Sequence, residues 1–434
     1  MDTIFALSTG SSRAAIAVVR VSGSQAIAAF RALTGSERFA PRLAALHPLT
    51  DPVSNKIIDF QSLAVVFPAP ASYTGEDVVE YSIHGGRAVI DGLLQALGAM
   101  PGCRMAEPGE FTKRAFSNGK MDLTEAEAIA DLIEAETEAQ RLQSVSQAQG
   151  SLMRLYHGWA ERLTRTLAHQ EADIEFPEDD MPEGVAEKLA PDVKKLLGEI
   201  KDHLDDNRRG ERLRDGIRIA VIGAPNAGKS SLVNALARRD VAIVSDEAGT
   251  TRDVIEVHLD LGGYPVILSD TAGLRTSGNK IETEGIRRAE SAARGADITL
   301  ALFDGTAKSA DVDTQKLVNE NTIVVFSKAD LGKNGEGLHI SSATGEGIDV
   351  LLKTLTQKAA SLLQSRPGPA LTRERHRAAL TATAEALERC LSSSQPELAA
   401  EDLRLALRAL GGITGRVHVE DLLDRIFRDF CIGK

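Results

Sequence analysis

Gly223-Ala224-Pro225-Asn226-Ala227-Gly228-Lys229-Ser230 fits the pattern G-x-x-x-x-G-K-[ST] without a gap. The apolar run Ile217, Ile219, Ala220, Val221 and Ile222 leads into it, and Ser231-Leu232-Val233-Asn234-Ala235-Leu236 leaves it with helical spacing. The expected order is therefore strand, loop, helix, which an ordinary Gly-rich turn does not require. In such a loop, glycines let backbone N–H groups close around phosphate oxygens. The helix N-terminus adds partial positive charge and Lys229 a full one, and the Ser230 hydroxyl is placed to ligate Mg²⁺.

Three further stretches extend this reading outward. Asp270-Thr271-Ala272-Gly273 follows the apolar run Val266-Ile267-Leu268, which puts a carboxylate where it can hold Mg²⁺ through water and the Gly273 N–H where it can meet a γ-phosphate. Between the two lies Gly249-Thr250-Thr251-Arg252-Asp253, with Thr251 the natural second hydroxyl ligand for Mg²⁺ in a switch. Ser327-Lys328-Ala329-Asp330 follows the apolar run Thr322 to Phe326, and the ordered set looks like the first four motifs of small GTPases. Asp330 favours GTP over ATP, because its carboxylate can accept from guanine N1–H and N2–H₂ and adenine offers neither donor. Ser327 stands where the common form has Asn, and spacing to Gly345 puts the fifth motif at Ser341-Ser342. Leu274 occupies the position of the Gln that orients water in Ras-like proteins, so another device is needed. The carbonyl of Asn226 suggests a monovalent cation beside the transferring phosphate; its plainer reading is a turn residue.

At 434 residues and 43% hydrophobic content, the chain is expected to form two to three folded domains. The net charge of −12 argues against coating nucleic acid by bulk electrostatics, so RNA contact needs a local patch or a partner. Cys103, Cys390 and Cys431 are few and widely spaced, fitting a reducing compartment, and no apolar run reaches membrane-span length, so the expected location is cytoplasmic. Up to about residue 118, short strand-like runs at 16–21, 63–67 and 78–83 alternate with helical stretches such as 90–97, giving a small α/β domain. Arg20 and Glu80 interrupt two of these runs, and by themselves read as solvent-face charges. A capping box at Thr124 and Glu127 is expected to start a long helix. Helical stripes follow through Leu152, Tyr156, Trp159 and Leu163 and through Val193, Leu197, Ile200 and Leu204, separated by acidic Glu178-Asp179-Asp180, read as a solvated loop. Polar Asp205 to Asp215 reads as a linker. After Pro367-Gly368-Pro369 the chain is again mostly helical, so one helical domain in two segments is expected to bracket an inserted nucleotide domain.

The phosphate loop, Gly249-Thr250-Thr251-Arg252-Asp253 and Asp270-Thr271-Ala272-Gly273-Leu274 resemble the TrmE-Era-EngA group of GTPases. The stretch from Pro108 to Lys120, containing Gly109-Glu110-Phe111-Thr112-Lys113-Arg114, and the terminal Phe430-Cys431-Ile432-Gly433-Lys434 narrow the resemblance to its MnmE (TrmE) family. The fold this implies is multidomain α/β plus α: a folate-binding and dimerising α/β domain at 1–118, a helical domain at 119–214 and 367–434, and an inserted Ras-like P-loop G domain at 215–366. The activity implied is K⁺-stimulated GTP hydrolysis. It serves modification of carbon 5 of the wobble uridine of certain tRNAs, with an FAD-dependent MnmG partner and a formyl- or methylene-tetrahydrofolate carbon. A homodimer, and a heterotetramer with the partner, are implied as well.

Carried over residue by residue, the resemblance assigns GTP to Asn226, Ala227, Gly228, Lys229, Ser230 and Ser231, and to Ser245, Asp246, Glu247, Ala248, Gly249, Thr250 and Thr251. It adds Asp270, Thr271, Ala272, Gly273, Ser327, Lys328, Asp330, Ser341 and Ser342. Mg²⁺ falls to Ser230 and Thr251, and K⁺ to Asn226, Ser245, Glu247 and Thr250. Glu282 matches the family's catalytic Glu. Arg20, Glu80, Lys120 and Lys434 match folate contacts, which reverses the solvent-face reading of the first two. Cys431 is either an active-site thiol near the folate or, beside Phe430 and Ile432, a small apolar filler. The alternative is a GTP-switched ribosome-assembly factor of the Era or EngA type, but the chain carries neither a basic stripe nor a second phosphate loop. A scaffold with a degenerate site is disfavoured by intact Lys229, Ser230, Thr251 and Asp270.

Overall fold

The computed structural model describes residues 2–10, 13–175, 185–239, 241–243, 256–270, 290–364, 368–417, 423, 426, 427 and 430–433. The chain divides into two compact units, one of residues 1–130 with 411–434 and one of residues 131–410.

In the first unit β1 (Thr3–Leu7), β2 (Ile16–Ser22), β3 (Ala45–Thr50), β4 (Ile57–Phe67), β5 (Val78–His84) and β6 (Cys103–Met105) form one sheet in the order β3-β4-β5-β2-β1-β6. Only the β1–β6 pair is parallel. Strand alternation sorts the side chains between two faces. Phe5, Val19, Val21, Val79 and Tyr81 pack with Phe30 and Leu33 of α1 (Ala26–Thr34) and Leu93 and Leu97 of α2 (Arg87–Gly98). Ile4 and Ala6 belong to the opposite face, against Phe111 of α3 (Glu110–Ser117). Arg20 is in register with both Ala6 and Glu80, so the charged pair shares the face that α3 covers.

The helix expected from Thr124 onward is α4 (Leu123–Glu134), and its capping box is formed by other residues. Asp122 Oδ1 accepts from the Glu125 N–H and Glu125 Oε2 accepts from the Asp122 N–H, both at 2.9 Å. Thr124 already lies inside the helix, and its hydroxyl donates to Asp122 instead (2.7 Å). The stretch is also two helices, since α5 (Glu138–Ala148) starts afresh with a complete capping box of Thr137 and Gln140. Leu123 and Ala126 of α4 pack against Phe427 and Phe430 near the C-terminus.

In the second unit α6 (Ser151–Glu175) and α7 (Val185–Leu204) carry the expected apolar stripes, with Leu152, Tyr156, Trp159, Leu163, Val193, Leu196 and Ile200 buried. The acidic loop expected at 178–180 lies outside the described residues. The expected linker at 205–215 instead contains α8 (Arg209–Asp215) and buried carboxylates. Arg377 binds Asp206 at 2.7 Å and Glu211 at 2.9 Å, and donates to the Leu204 carbonyl at 2.8 Å. The polar composition of this segment reflects a paired interior network, which local sequence does not distinguish from solvation. A Cβ on Gly210 would sit 2.0 Å from the Leu371 carbonyl oxygen, so the chain passes into and out of the intervening residues side by side.

Those residues build a second sheet of β7 (Ile217–Ile222), β8 (Glu256–Leu261), β9 (Tyr264–Asp270), β10 (Ile298–Asp304), β11 (Thr322–Ser327) and β12 (Leu338–His339) in the order β12-β11-β10-β7-β9-β8. Every pair is parallel except β8–β9. Its core joins Ile219, Val221, Leu268, Leu300 and Val325 to Leu232 and Leu236 of α9 (Lys229–Ala237), and to Leu351 and Leu355 of a helix at Ile348–Leu362.

Candidate functional site

The loop after β7 occupies the point where the winding of the sheet reverses, with β10 on one side of β7 and β9 on the other. Open α/β sheets bind their ligands at this place. A Cβ on Gly223 would lie 2.3 Å from the Leu302 carbonyl oxygen, so only glycine lets the exit of β7 pass that close to β10. Gly228, at φ +94°, turns the chain into the first residue of α9. Lys229 Nζ donates to the carbonyls of Gly223 and Ala224 at 2.8 and 2.9 Å, returning its ammonium to the start of the loop. Ala227 is buried, whereas Asn226, at φ +65°, and Ser230 and Ser231 are exposed. Asp270 ends β9 in register with Val221, one residue before the end of β7.

The expected guanine motif ends β11 next to this loop, since a Cβ on Gly228 would be 3.6 Å from the Ser327 Cβ. Ser327 is buried and donates through Oγ to the Phe303 carbonyl at 3.1 Å. Lys328 adopts φ +58°, an uncommon conformation for a side chain of its size, and its Nζ donates to Asp304 Oδ2 at 2.6 Å. Asp330 is exposed, and its Oδ1 accepts from the fully buried Ser341 hydroxyl at 2.6 Å. Ser342 is half-buried beside it. Asp304 matches none of the motifs. Its one sequence signal was a carboxylate ending an apolar strand, as Asp270 does. Hydrogen bonds from Lys328 and then from Thr306 hold its carboxyl down to about 2. The remaining switch assignments, Ser245, Asp246, Glu247, Ala248, Gly249, Thr250, Thr251, Thr271, Ala272, Gly273 and Glu282, and Leu274 with them, lie outside the described residues.

On the α3 face of the first unit, Arg20 Nε donates to Glu80 Oε1 at 2.8 Å, with the two side chains 15% and 28% exposed. The guanidinium also lies over the rings of Tyr73 (5.0 Å), which the sequence did not single out, and Phe111 (5.7 Å), quoted only within the stretch from Pro108 to Lys120. Its Nη1 is buried and has no hydrogen-bond partner among the described residues. Lys120 Nζ donates to the Pro70 carbonyl at 2.9 Å, so it reaches the loop that carries Tyr73 and not the Arg20–Glu80 pair.

The C-terminal residues come to the same unit. Ile432 bridges to Pro108, the Gly109 N–H donates to the Cys431 carbonyl at 3.4 Å, and Ser8 Oγ donates to the Gly433 carbonyl at 3.1 Å. A Cβ on Gly433 would lie 2.3 Å from the Leu7 carbonyl oxygen. Cys431 is exposed while Phe430 is buried, so the thiol is not an apolar filler. Lys434 lies outside the described residues.

Comparison with known proteins covers nearly the whole chain. A family model described as the MnmE helical domain matches residues 123–431, and one described as the GTP-binding protein TrmE N-terminus matches residues 3–120. The chain is 54% identical over 440 residues to a protein of Parvibaculum lavamentivorans named tRNA modification GTPase MnmE, with 100% of both chains covered. It is 50% identical over 454 residues to the protein of that name from Rhodospirillum rubrum, and 51% identical over 442 residues to that of Paramagnetospirillum magneticum, again over 100% of each. The chain belongs to the MnmE (TrmE) family of tRNA-modification GTPases.

Proposed function

We propose that this protein is a K⁺-stimulated GTP hydrolase that modifies carbon 5 of the wobble uridine (position 34) of certain tRNAs, together with an FAD-dependent MnmG-type partner and a tetrahydrofolate one-carbon unit. The Nη1 of Arg20, buried and without a partner among the described residues, carries the folate half of this reading. A buried donor without an acceptor calls for one, and a folate carboxylate or carbonyl supplies it. Glu80 beside it can accept pterin N–H groups while Tyr73 and Phe111 wall the site. Lys120 and Lys434 are proposed as further folate contacts, and the exposed Cys431 as the thiol that works there.

For the GTP half, exposed Ser230 with its hydroxyl and the Asp270 strand end fit a hard cation such as Mg²⁺, with Thr251 the second hydroxyl. When bound, Mg²⁺ neutralises phosphate charge. The exposed carbonyl of Asn226 fits K⁺, which Ser245, Glu247 and Thr250 would share. Lys229 withdraws from its loop carbonyls to the phosphates, Asp330 accepts from the guanine edge, and Glu282 orients the attacking water indirectly. We assign the folate domain to 1–118, the helical domain to 119–214 and 367–434, and the G domain to 215–366. The register pair Leu46–Leu63 leaves both side chains exposed, which supports a homodimer through the N-terminal sheet. Among the described residues no helix is long and apolar enough to cross a membrane, in keeping with a cytoplasmic tRNA enzyme.

Calorimetric titration with 5-formyltetrahydrofolate tests the carrying observation: wild type binds and Arg20→Met does not. Undiminished binding by Arg20→Met removes the folate assignment. GTP turnover compared in K⁺ and Na⁺ at equal ionic strength tests the cation, where equal rates refute it. Normal wobble uridine in a strain lacking the protein would refute the tRNA role.

A further inference from the structure

The described part of the base-recognition stretch presents two charged side chains, Lys328 and Asp330, each held from outside the stretch by a single short contact. Ser341 holds Asp330 at 2.6 Å, and Asp304 holds Lys328 at 2.6 Å. The hydroxyl of Ser327, the residue that departs from the common Asn, turns inward to the Phe303 carbonyl and is spent there. More of the task therefore falls on Lys328 and its anchor. Asp304 is built for that part. Its Oδ1 accepts from the Thr306 N–H at 2.9 Å and the Thr306 hydroxyl at 2.6 Å, which fixes the carboxylate plane and leaves Oδ2 to the ammonium. The register of β10 with β11 sets Asp304 opposite Ser327, beside Lys328, so the anchor is delivered by sheet geometry and does not depend on loop conformation.

We propose that Asp304 is a positioning residue of the nucleotide site, holding the Lys328 ammonium so that the methylene stem of Lys328 forms one wall for the purine while Asp330 reads its edge. A lysine stem is apolar and its head charged, so tying the head to a fixed carboxylate is what orients the stem. The proposal rests on the reading of 327–330 as the guanine motif.

The test is the affinity of the full-length protein for a fluorescent GDP, with steady-state GTP turnover alongside. Asp304→Asn retains an oxygen for Thr306 but gives up the charge that holds Lys328. It should melt like wild type without nucleotide, bind GDP about three- to fivefold more weakly, and raise KM while leaving kcat in place. Lys328→Met should weaken binding similarly, and Asp304→Asn with Lys328→Met should bind no more weakly than Lys328→Met alone. Wild-type affinity in Asp304→Asn, or losses that multiply in the double variant, overturns the proposal. Asp330→Asn, assayed with GDP and xanthosine diphosphate, checks the underlying reading separately. An unchanged preference for GDP there refutes the guanine motif, and Asp304 with it.

Discussion

Glu110, at the start of α3, shows how one carboxylate is decided by its surroundings. Burial opposes its charge, but hydrogen bonds from Arg104, the Glu107 N–H and Arg114 outweigh that and hold the carboxyl at about 2, against 4.5 for the free group. Because the folded value is depressed, the stabilisation is complete above about pH 4.5 and is lost as pH falls toward 2. Screening by solvent leaves on the order of 2 kcal/mol. Acid unfolding of wild type should therefore steepen between those limits and that of Glu110→Gln should stay shallower; parallel curves would contradict this. The sequence marked Glu110 only as part of a resemblance, because its three donors are set by how α3 and β6 meet.

At the scale of the element, the cap of α4 and the network of α8 give two stability predictions. Asp122→Ala removes the acceptor for the Glu125 N–H and should cost about 1 kcal/mol in urea unfolding, whereas Asp122→Asn should keep most of it. The sequence spacing pointed to Thr124 and Glu127, and only the backbone path moved the cap to Asp122 and Glu125. Arg377 is the larger case, since it serves Asp206, Glu211 and the Leu204 carbonyl together. Arg377→Ala leaves buried carboxylates without this partner and should destabilise by about 3–5 kcal/mol. Arg377→Lys should recover only part of the loss, having one charged point where the fork met three acceptors. Equal stability of Ala and Lys variants would show that the network contributes little. Its members are 166 to 173 residues apart in sequence, which is why residues 205–215 read as a linker.

For the whole molecule, the close passage of Gly210 and Leu371 implies that the nucleotide sheet is a separable body. Its main hydrophobic core draws on residues from Ile217 to Ala359 alone. The links to the α4–α5 connection, such as the 2.8 Å pair of His258 with Glu136, are partly exposed and individually weak. Residues 216–364 expressed alone should unfold cooperatively and bind GDP; a product without a cooperative transition would refute this. The strand–loop–helix around the phosphate loop and the α/β character of the front unit, with strands at 16–21, 63–67 and 78–83, were legible, because alternation and glycine spacing are local properties of the chain. The short strands β3 and β6 were not, the first holding a proline and the second only three residues long.

By itself, the sequence determined which chemistry is placed where along the chain: Lys229 and Ser230 after a strand, Asp330 after another, and the motif order that names the family. Tertiary structure alone decided the partners. Lys328 finds Asp304, 24 residues away, because β10 and β11 run side by side in register, and Gly433 finds Ser8 across 425 residues because the last residues pack beside β1. It also decided that the Arg20 guanidinium is half-sheltered between two rings with one donor unspent. Backbone pattern is encoded by neighbours in sequence, whereas burial and pairing are properties of surfaces that come together only when the sheet closes.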